Sequence, residues 1–331
     1  MLCVFQRIAL KPVVMKTSLS KSSGVKTALV LAGIILFNFA AKAQDPSLPA
    51  VNLGLANITD GITPGPGIYY ANFSQIYQAH SFRDGAGNKL PTNLKVNTYT
   101  TIHQFVWLGN NKVFGGLFGL TAFLPVVRIS ATNAGGPTPT INNGVLGDLI
   151  VAPAIVWGNR KLFNHAYFSR AELDFYLPTG SYNHNDASNP SSHFYTFSAH
   201  YSFTYFFNRE LSISSRNHIN YNTKLIGTAV HPGMFYNVNF SVEQTLYKTF
   251  RAEACAYYLT QLNQDSNNGD SRYYQNVDGL ANTKERVLGI GPGLAYLANQ
   301  RLVLEGKVFW ETAVRNREQG VRPTLQLSYK F

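Results

Sequence analysis

The sequence predicts an all-β protein, a transmembrane antiparallel up-and-down β-barrel of about twelve strands that follows a cleaved signal peptide. Three observations predict this fold. Segments of alternating apolar and polar residues recur along the chain, turns of two unequal lengths separate them, and a basic leader with an apolar run precedes them. Charged residues make up only 14% of the chain, against about 25% in soluble domains, whereas aromatic residues reach 13%.

The leader has the three parts of a secretory signal. No acidic residue precedes Asp45, residues 28–40 are almost wholly apolar, and Ala41-Lys42-Ala43 is a small-x-small site with cleavage expected after Ala43. We interpret residues 1–43 as a signal peptide, because a membrane-spanning helix needs about 20 apolar residues. A single-span anchor is the alternative.

Removing the leader lowers the net charge of the chain. Six of the 28 basic residues and none of the 17 acidic residues precede residue 44, so the formal charge of +11 falls to +5. The remaining basic residues are scattered, which predicts no nucleic-acid binding. Cys255 is the single cysteine after the leader, so no internal disulfide is expected. Residues 44–66 are rich in Pro, Gly and Asn, and we interpret them as a short irregular segment that could lie in the barrel mouth.

The first half of the predicted barrel, which we place at residues 67–331, consists of strands identified by alternation. The first two are at 68–82 and 92–108. In the first, Tyr69, Ala71 and Phe73 oppose Tyr70, Asn72 and Ser74, and in the second, Leu94, Val96 and Ile102 oppose Lys95, Asn97, Tyr99 and His103. The third strand, 113–129, is apolar on both parities, which leaves its register open. The fourth and fifth strands cover residues 144–157 and 166–177.

Alternation is clearest in the sixth strand, residues 192–207. Tyr195, Phe197 and Tyr201 share one parity, and Ser198 and His200 stand opposite them. Such a strand has one apolar and one polar face, and in a membrane barrel the aromatic face meets lipid while the polar face lines the lumen. The remaining predicted strands are 211–221, 234–246, 250–262, 286–297, 302–315 and 322–331.

The connections come in two sizes. In an outer-membrane barrel, short turns face the periplasm and long loops face outward, and an even strand count returns both ends to the periplasmic side. In a soluble β-sandwich, the alternative fold, short turns and long loops are not expected to lie at opposite ends. We therefore predict a location in the outer membrane of a Gram-negative bacterium, in contact with outer-membrane lipid. The predicted turns are 109–111, 158–161, 208–210, 247–249 and 298–300, and the predicted loops are 83–91, 130–143, 178–191, 222–233 and 263–284.

The last predicted strand ends in an aromatic residue. Leu325, Leu327, Tyr329 and Phe331 share one parity, as expected of a closing strand whose aromatic end lies at the membrane interface. Phe331 also resembles the C-terminal signal that barrel-assembly machinery reads. We expect that machinery to be a partner of the chain.

Three segments carry a resemblance to a known family: GDLIVAP at 147–153, ELDFYLPTGSY at 172–182 and GIGPGL at 289–294. They resemble the meta-pathway phenol-degradation family of outer-membrane proteins, and the resemblance covers most of the chain after the leader. It implies a porin-like barrel for passive uptake of small hydrophobic or aromatic compounds. The family is distantly similar to long-chain fatty-acid channels, but residues 44–66 are too short to supply the longer plug of those channels.

Charged residues on the polar parity are the candidate site residues. They could form a constriction that selects what passes, or a ladder of ion pairs that fills a narrow barrel. Because both signs are interspersed, the ladder is favoured for most of them, with the three just before the family-like loop as expected exceptions: Arg170, Glu172 and Asp174. The complete set of lumen candidates is Arg170, Glu172, Asp174, Arg216, Glu243, Arg251, Glu253, Glu305 and Lys307.

Motif spacing predicts neither a cofactor nor a metal site. The chain has no HxxxH, HExxH or GxSxG pattern, and the glycines at 289–293 precede no predicted helix. His184, Asp186 and His193 share a predicted loop, which we interpret as solvated. We therefore predict that the chain is not an enzyme.

Two other function classes stay open. A lipid hydrolase would need serine, histidine and an orienting amide or carboxylate on adjacent strands, but the candidates for those roles point into the lumen. A structural or adhesive barrel is the other alternative. For a channel, Pro153, Pro292 and Pro323 are candidate wall openings, since proline removes a ladder hydrogen bond. The hydrolase candidates are Ser198, His200, Ser214, His218 and Asn220.

Overall fold

The computed structural model describes residues 52–55, 57–63, 65–299 and 301–331. The predicted signal peptide and the first part of the 44–66 segment lie outside the described residues. Twelve of the fourteen strands close into one antiparallel barrel, and β8 and β11 form a separate two-stranded ribbon. The bounds are β1 Gly67–Arg83, β2 Leu94–Val113, β3 Gly116–Asn133, β4 Leu149–Leu162, β5 His165–Leu177, β6 Thr196–Phe206, β7 Leu211–Asn222, β8 Val230–His231, β9 Phe235–Tyr247, β10 Phe250–Gln261, β11 Ser266–Asn267, α1 Tyr273–Asp278, β12 Arg286–Leu297, β13 Leu302–Arg315 and β14 Arg317–Lys330.

The first and last strands close the barrel. Tyr69 pairs with Lys330 and Ala71 with Ser328, while the other edge of β1 pairs with β2. Because every barrel strand has a neighbour on both sides, no edge is left with unpaired backbone groups, as a structure within lipid requires. The prediction of an all-β, twelve-stranded up-and-down barrel is confirmed.

The barrel surface is apolar outside and polar inside, the reverse of a soluble protein. Phe197 and Tyr201 of β6 are about two-fifths exposed, whereas Ser198 and Ser202 of the same strand are buried. This distribution is the one expected of a wall between lipid and a polar lumen. None of the described helices is long and apolar enough to cross a membrane.

Three of the predicted connections were wrong. β2 runs through Gly109 to Val113, and β4 runs through Gly158 to Leu162. Both strands absorb their glycine in a register shift, a bulge that keeps the ladder going where the composition suggested a turn. On the side of the long loops, Asn316 alone separates β13 from β14, so short turns and long loops do not alternate strictly.

The prediction that every polar parity lines the lumen was wrong for β1 and β2. Phe73 and Ile102 point inward and are buried, and Asn72 and Thr101 lie on the outer face, where they hydrogen-bond to each other at 3.0 Å. The reason is packing inside the lumen. Leu55, from the segment that precedes β1, is buried against Phe73 and Ile102, so this part of the lumen requires apolar side chains.

Residues 52–55 and 57–61, which we call the plug, lie inside the barrel along the lumen face of β9. Asn237 Nδ2 donates to the Asn52 carbonyl at 3.2 Å, the Gly54 amide donates to Asn239 Oδ1 at 2.9 Å, and the Thr59 amide donates to Glu243 Oε1 at 2.9 Å. The contacts advance in the same direction along both segments, so the plug runs parallel to β9, inside the barrel rather than only at its mouth, where the sequence suggested it could lie. Leu53 is fully buried within a cluster that contains Phe235, Tyr257 and Phe309.

Candidate functional site

A buried ion pair holds Asp60, near the C-terminal end of the plug. Arg216 Nε donates to Asp60 Oδ2 at 2.5 Å, Arg216 Nη2 donates to Asp60 Oδ1, and Arg170 Nη2 lies 3.8 Å from the same carboxylate. Burial alone would raise the pKa of Asp60, but the Arg216 and Arg170 guanidiniums outweigh it and hold the pKa below its ordinary value. A carboxylate with two cationic partners in a buried site is a strong anchor.

The local sequence of the plug presents Asp60 to that anchor. Thr59 adopts a positive φ of 49°, and its carbonyl accepts the Ile62 amide at 2.8 Å, which closes a tight turn around Asp60. Gly61 then donates its amide to Thr204 Oγ1 at 3.0 Å. A side chain at Gly61 would collide with the backbone of Phe203 and Thr204, so only glycine allows this close approach.

Next to the anchor, β5, β6 and β7 bring together one carboxylate and two imidazoles. His200 and His218 face each other as cross-strand partners, and their ring centroids lie 4.6 Å apart. Asp174 Oδ2 lies 3.3 Å from His200 Nδ1 and 3.8 Å from His218 Nδ1. All three side chains are buried. We call Asp174, His200 and His218 the lumen triad.

A small cavity separates the lumen triad from the apolar part of the lumen. It encloses about 50 Å³. Asp174, Arg216 and His218 form its polar side, and Asn52 of the plug also borders it. The opposite side is apolar and comes from the plug and from β1 to β5, through Leu55, Phe73, Ile102, Phe123, Pro125, Ile150 and Tyr176.

The structure places the nine predicted lumen candidates in three separate clusters on the lumen wall. Arg170, Glu172, Asp174 and Arg216 surround the plug anchor, as described. Arg251 Nη2 lies 3.3 Å from Glu243 Oε2 and donates to Ser212 Oγ at 2.5 Å. Lys307 pairs with Glu305, and both side chains are buried. Glu253 is buried on the adjacent strand, β10.

A fourth polar cluster, around Arg322, contains none of the nine predicted lumen candidates. Arg322 is fully buried, and its guanidinium lies 4.0 Å from the centre of the Tyr77 ring. Glu311 accepts hydrogen bonds of 2.7 Å from the hydroxyls of both Tyr77 and Tyr257, and Arg322 Nη2 lies 3.3 Å from it. The alternation of β14 places Arg322 on the lumen side, but its partners come from β1, β10 and β13, which sequence spacing does not connect.

Each of the three predicted proline sites coincides with a break in one ladder. Between β4 and β5 the pairing passes from Val151 directly to Ala154, so it omits Pro153. The β12–β13 ladder omits Pro292, and the β1–β14 ladder omits Pro323, although each proline remains paired on its other side. The wall therefore lacks backbone hydrogen bonds at these positions.

The segments that carry the family resemblance have a structural explanation. Asp148 Oδ1 accepts the Gly180 amide at 3.1 Å and Asp148 Oδ2 accepts the Ser192 amide at 2.9 Å, so this carboxylate ties two family-like segments together. Burial raises the pKa of Asp148, although these amide hydrogen bonds oppose the shift. In the third segment, any side chain at Gly291 would collide with the Val308 carbonyl of β13.

The hydrolase candidates do not assemble a charge-relay triad. Ser198 Oγ lies 3.1 Å from His218 Nδ1, but the nearest carboxylate, Asp174, also approaches that same nitrogen. A nucleophilic serine needs the carboxylate and the hydroxyl on opposite nitrogens of the ring, so that the imidazole can accept the hydroxyl proton. His218 Nε2 has no hydrogen-bond partner among the described residues.

A closed twelve-stranded barrel with an apolar outer band and a plugged polar lumen defines an outer-membrane β-barrel of Gram-negative bacteria. Residues 79–327 match the model of the family described as "Putative MetA-pathway of phenol degradation". The chain belongs to that family. No curated protein matches it significantly.

Solved structures share the barrel. The COG4313 outer membrane channel from Pseudomonas putida F1 is 13% identical, with a TM-score of 0.68 over 85% of this chain and 100% of that one. The AIDA-I transport unit from Escherichia coli is 10% identical (TM-score 0.45, 80% and 90% covered), and the NalP translocator domain from Neisseria meningitidis is 12% identical (TM-score 0.41, 83% and 92% covered). At 13% identity, the first likeness establishes a common fold.

Proposed function

We propose that the protein is an outer-membrane channel for passive uptake of small hydrophobic or aromatic compounds. The observation that carries the proposal is the apolar side of the lumen cavity, where Phe73, Ile102 and Phe123 point inward. A channel for hydrophilic solutes needs a polar wall throughout, whereas an apolar wall favours a solute with an apolar surface. The description of the family, which refers to phenol degradation, agrees with this substrate class.

The geometry requires that the plug or the wall moves during transport. A cavity of about 150 Å³ is needed to hold benzene, and the lumen cavity encloses about 50 Å³. Leu55 of the plug lines this cavity together with Phe73 and Ile102, which belong to the same buried cluster. Withdrawal of the plug would join the cavity to the space that Leu55 now fills, and a solute could then leave along the lumen or through the wall at a proline break.

The deciding experiment is uptake of a small aromatic compound into proteoliposomes, with protein-free liposomes as the reference. We expect faster uptake with the protein, and equal uptake would sink the proposal. Ile102→Thr places a hydroxyl on the apolar side of the cavity and should slow uptake several-fold. Ile219→Thr, at an outward-facing and half-exposed position, is the matched control and should leave uptake unchanged. Labelling of the purified barrel by a serine-reactive probe would instead support the hydrolase.

A further inference from the structure

We propose that the lumen triad, Asp174, His200 and His218, binds a divalent transition-metal ion such as Zn²⁺. One donor atom from each of the three side chains lies within 4.8 Å of the other two. Two imidazoles and one carboxylate form a common set of three protein ligands for zinc and related metals, with further coordination positions left for water. This site is independent of the proposed transport function.

The backbone explains why the donors converge. His200 and His218 are directly opposite each other on β6 and β7, and Asp174 on β5 pairs with Ser198, two residues from His200. Alternation sends all three side chains to the lumen face. In a tetrahedral site with ligand bonds of about 2.0–2.1 Å, the donors are about 3.3 Å apart. Asp174 Oδ2 and His200 Nδ1 already have this separation, 3.3 Å.

The remaining donors need only side-chain movement. His218 Nδ1 lies 3.8 Å from Asp174 Oδ2, and its present neighbour is the Ser198 hydroxyl at 3.1 Å. Small χ rotations would bring His218 to the metal, and Ser198 would then be available to bind a metal-bound water. Asp174 and His218 both border the lumen cavity, so one side of the site has room for that water.

The surroundings of His200 match those of a metal ligand. Its second ring nitrogen, Nε2, lies 3.7 Å from Glu172 Oε2. Histidines that bind a metal through one nitrogen usually donate the other to a carboxylate or carbonyl group, which fixes the tautomer and the ring orientation. At 3.7 Å the two atoms are not hydrogen-bonded, and a small rotation of either side chain would let Glu172 accept that proton.

The side chains of the triad are incompletely satisfied, and their surroundings carry net negative charge. Asp174 Oδ1, His200 Nε2 and His218 Nε2 are the second polar atoms of the three side chains. They are buried and have no hydrogen-bond partner among the described residues, a costly state in a protein interior. The charged side chains at the triad are the carboxylates of Asp60, Glu172 and Asp174 and the guanidiniums of Arg170 and Arg216. With both histidines neutral, this group carries one excess negative charge, so a cation is favoured over an anion at this position.

Zinc content and cobalt spectroscopy of the purified barrel test the proposal. The protein, prepared without a polyhistidine tag, is stripped with chelator, loaded with Zn²⁺ or Co²⁺ and desalted. We expect one metal ion per chain and Co²⁺ absorption bands of a four- or five-coordinate site. His200→Gln and His218→Gln should each weaken binding at least tenfold. A wild-type barrel that retains no metal overturns the proposal, whatever the variants do.

The outer loop supplies the matched control. His184 and His193 lie in the loop between β5 and β6, with Asp186 nearby, and could hold an adventitious ion. The double variant His184→Gln/His193→Gln should leave metal binding unchanged. If that variant abolishes binding and the lumen variants do not, the ion belongs to the loop and the proposal fails. Asp174→Asn provides a third lumen variant in case a histidine variant does not fold.

Discussion

Replacing Asp60 by asparagine should loosen the plug without unfolding the barrel. The substitution keeps the size of the side chain and removes its charge, so Arg216 loses its carboxylate partner, and Arg170 loses one of two. Breaking a buried ion pair by removing one partner costs about 3–5 kcal/mol. We expect a cost near the lower end of this range, about 3 kcal/mol. Arg170 keeps Glu172 at 3.3 Å, and the lumen cavity can admit water to Arg216.

A loss of about 3 kcal/mol corresponds to about a hundredfold increase in the open population of the plug, because each 1.4 kcal/mol is a factor of ten. Amide hydrogen exchange reports this opening directly. The amides of Gly54, Thr59 and Gly61 donate to side chains of the barrel wall, so each is protected only while the plug is docked. We expect all three amides to exchange about a hundredfold faster in Asp60→Asn.

Two comparisons make this prediction refutable. Amides in the β2–β3 ladder should keep their wild-type protection, because the barrel stays closed when the plug leaves. Asp84→Asn, in the exposed β1–β2 loop, should change neither the plug nor the ladder. If the three plug amides exchange in Asp60→Asn as they do in the wild type, Asp60 is not the anchor. Equal acceleration of plug and ladder would mean that the whole barrel was destabilised.

Two further outcomes are expected. Asp60 has a pKa below its ordinary value of 3.8, so its stabilisation of the plug is present above that value and is lost as the pH falls through the lowered pKa. The protection factors of the Thr59 and Gly61 amides should therefore stay level from pH 7 to about pH 5 and fall only below about pH 4. A loss of protection near pH 6 would contradict this assignment. Deleting Phe331 should lower the amount of barrel in the outer membrane, while the refolded protein keeps wild-type thermal stability. Phe331 is 67% exposed, and its amide makes one backbone hydrogen bond, to the Ile68 carbonyl at 3.0 Å, so its loss should cost the folded barrel little. Normal membrane levels of the truncated protein would refute an assembly role.

Alternation, together with the two lengths of turn and the basic leader, predicted the barrel, because each strand must meet lipid on one side and the lumen on the other. It failed where the lumen is not filled by water or polar side chains. Phe73 and Ile102 point inward because Leu55 of the plug packs against them, and a single strand contains no sign of that contact. Gly109 and Gly158 suggested turns, since a bulge and a turn have similar local composition.

The contacts of the candidate site could not be predicted from single strands either. Polar parity selected Arg170, Asp174 and Arg216 as lumen candidates, but it could not show which of them meet. Contacts within the lumen depend on register between strands and on the plug. Asp60 lies outside every strand, so it was missed, although it pairs with two of the predicted residues. His200 and His218 are 18 positions apart, too far for any local metal motif, and only the register of β6 and β7 makes them neighbours.

The plug has a consequence for the order of assembly. Gly54 bonds to Asn239, 185 residues further along the chain, and Leu53 packs against Phe309 of β13. Contacts between such distant segments form late, after the loop-closure entropy of the intervening chain has been lost. The plug therefore cannot dock until β9, β10 and β13 have been inserted. Obstruction of the interior is thus a late step of assembly, which follows insertion of the strands that hold the plug.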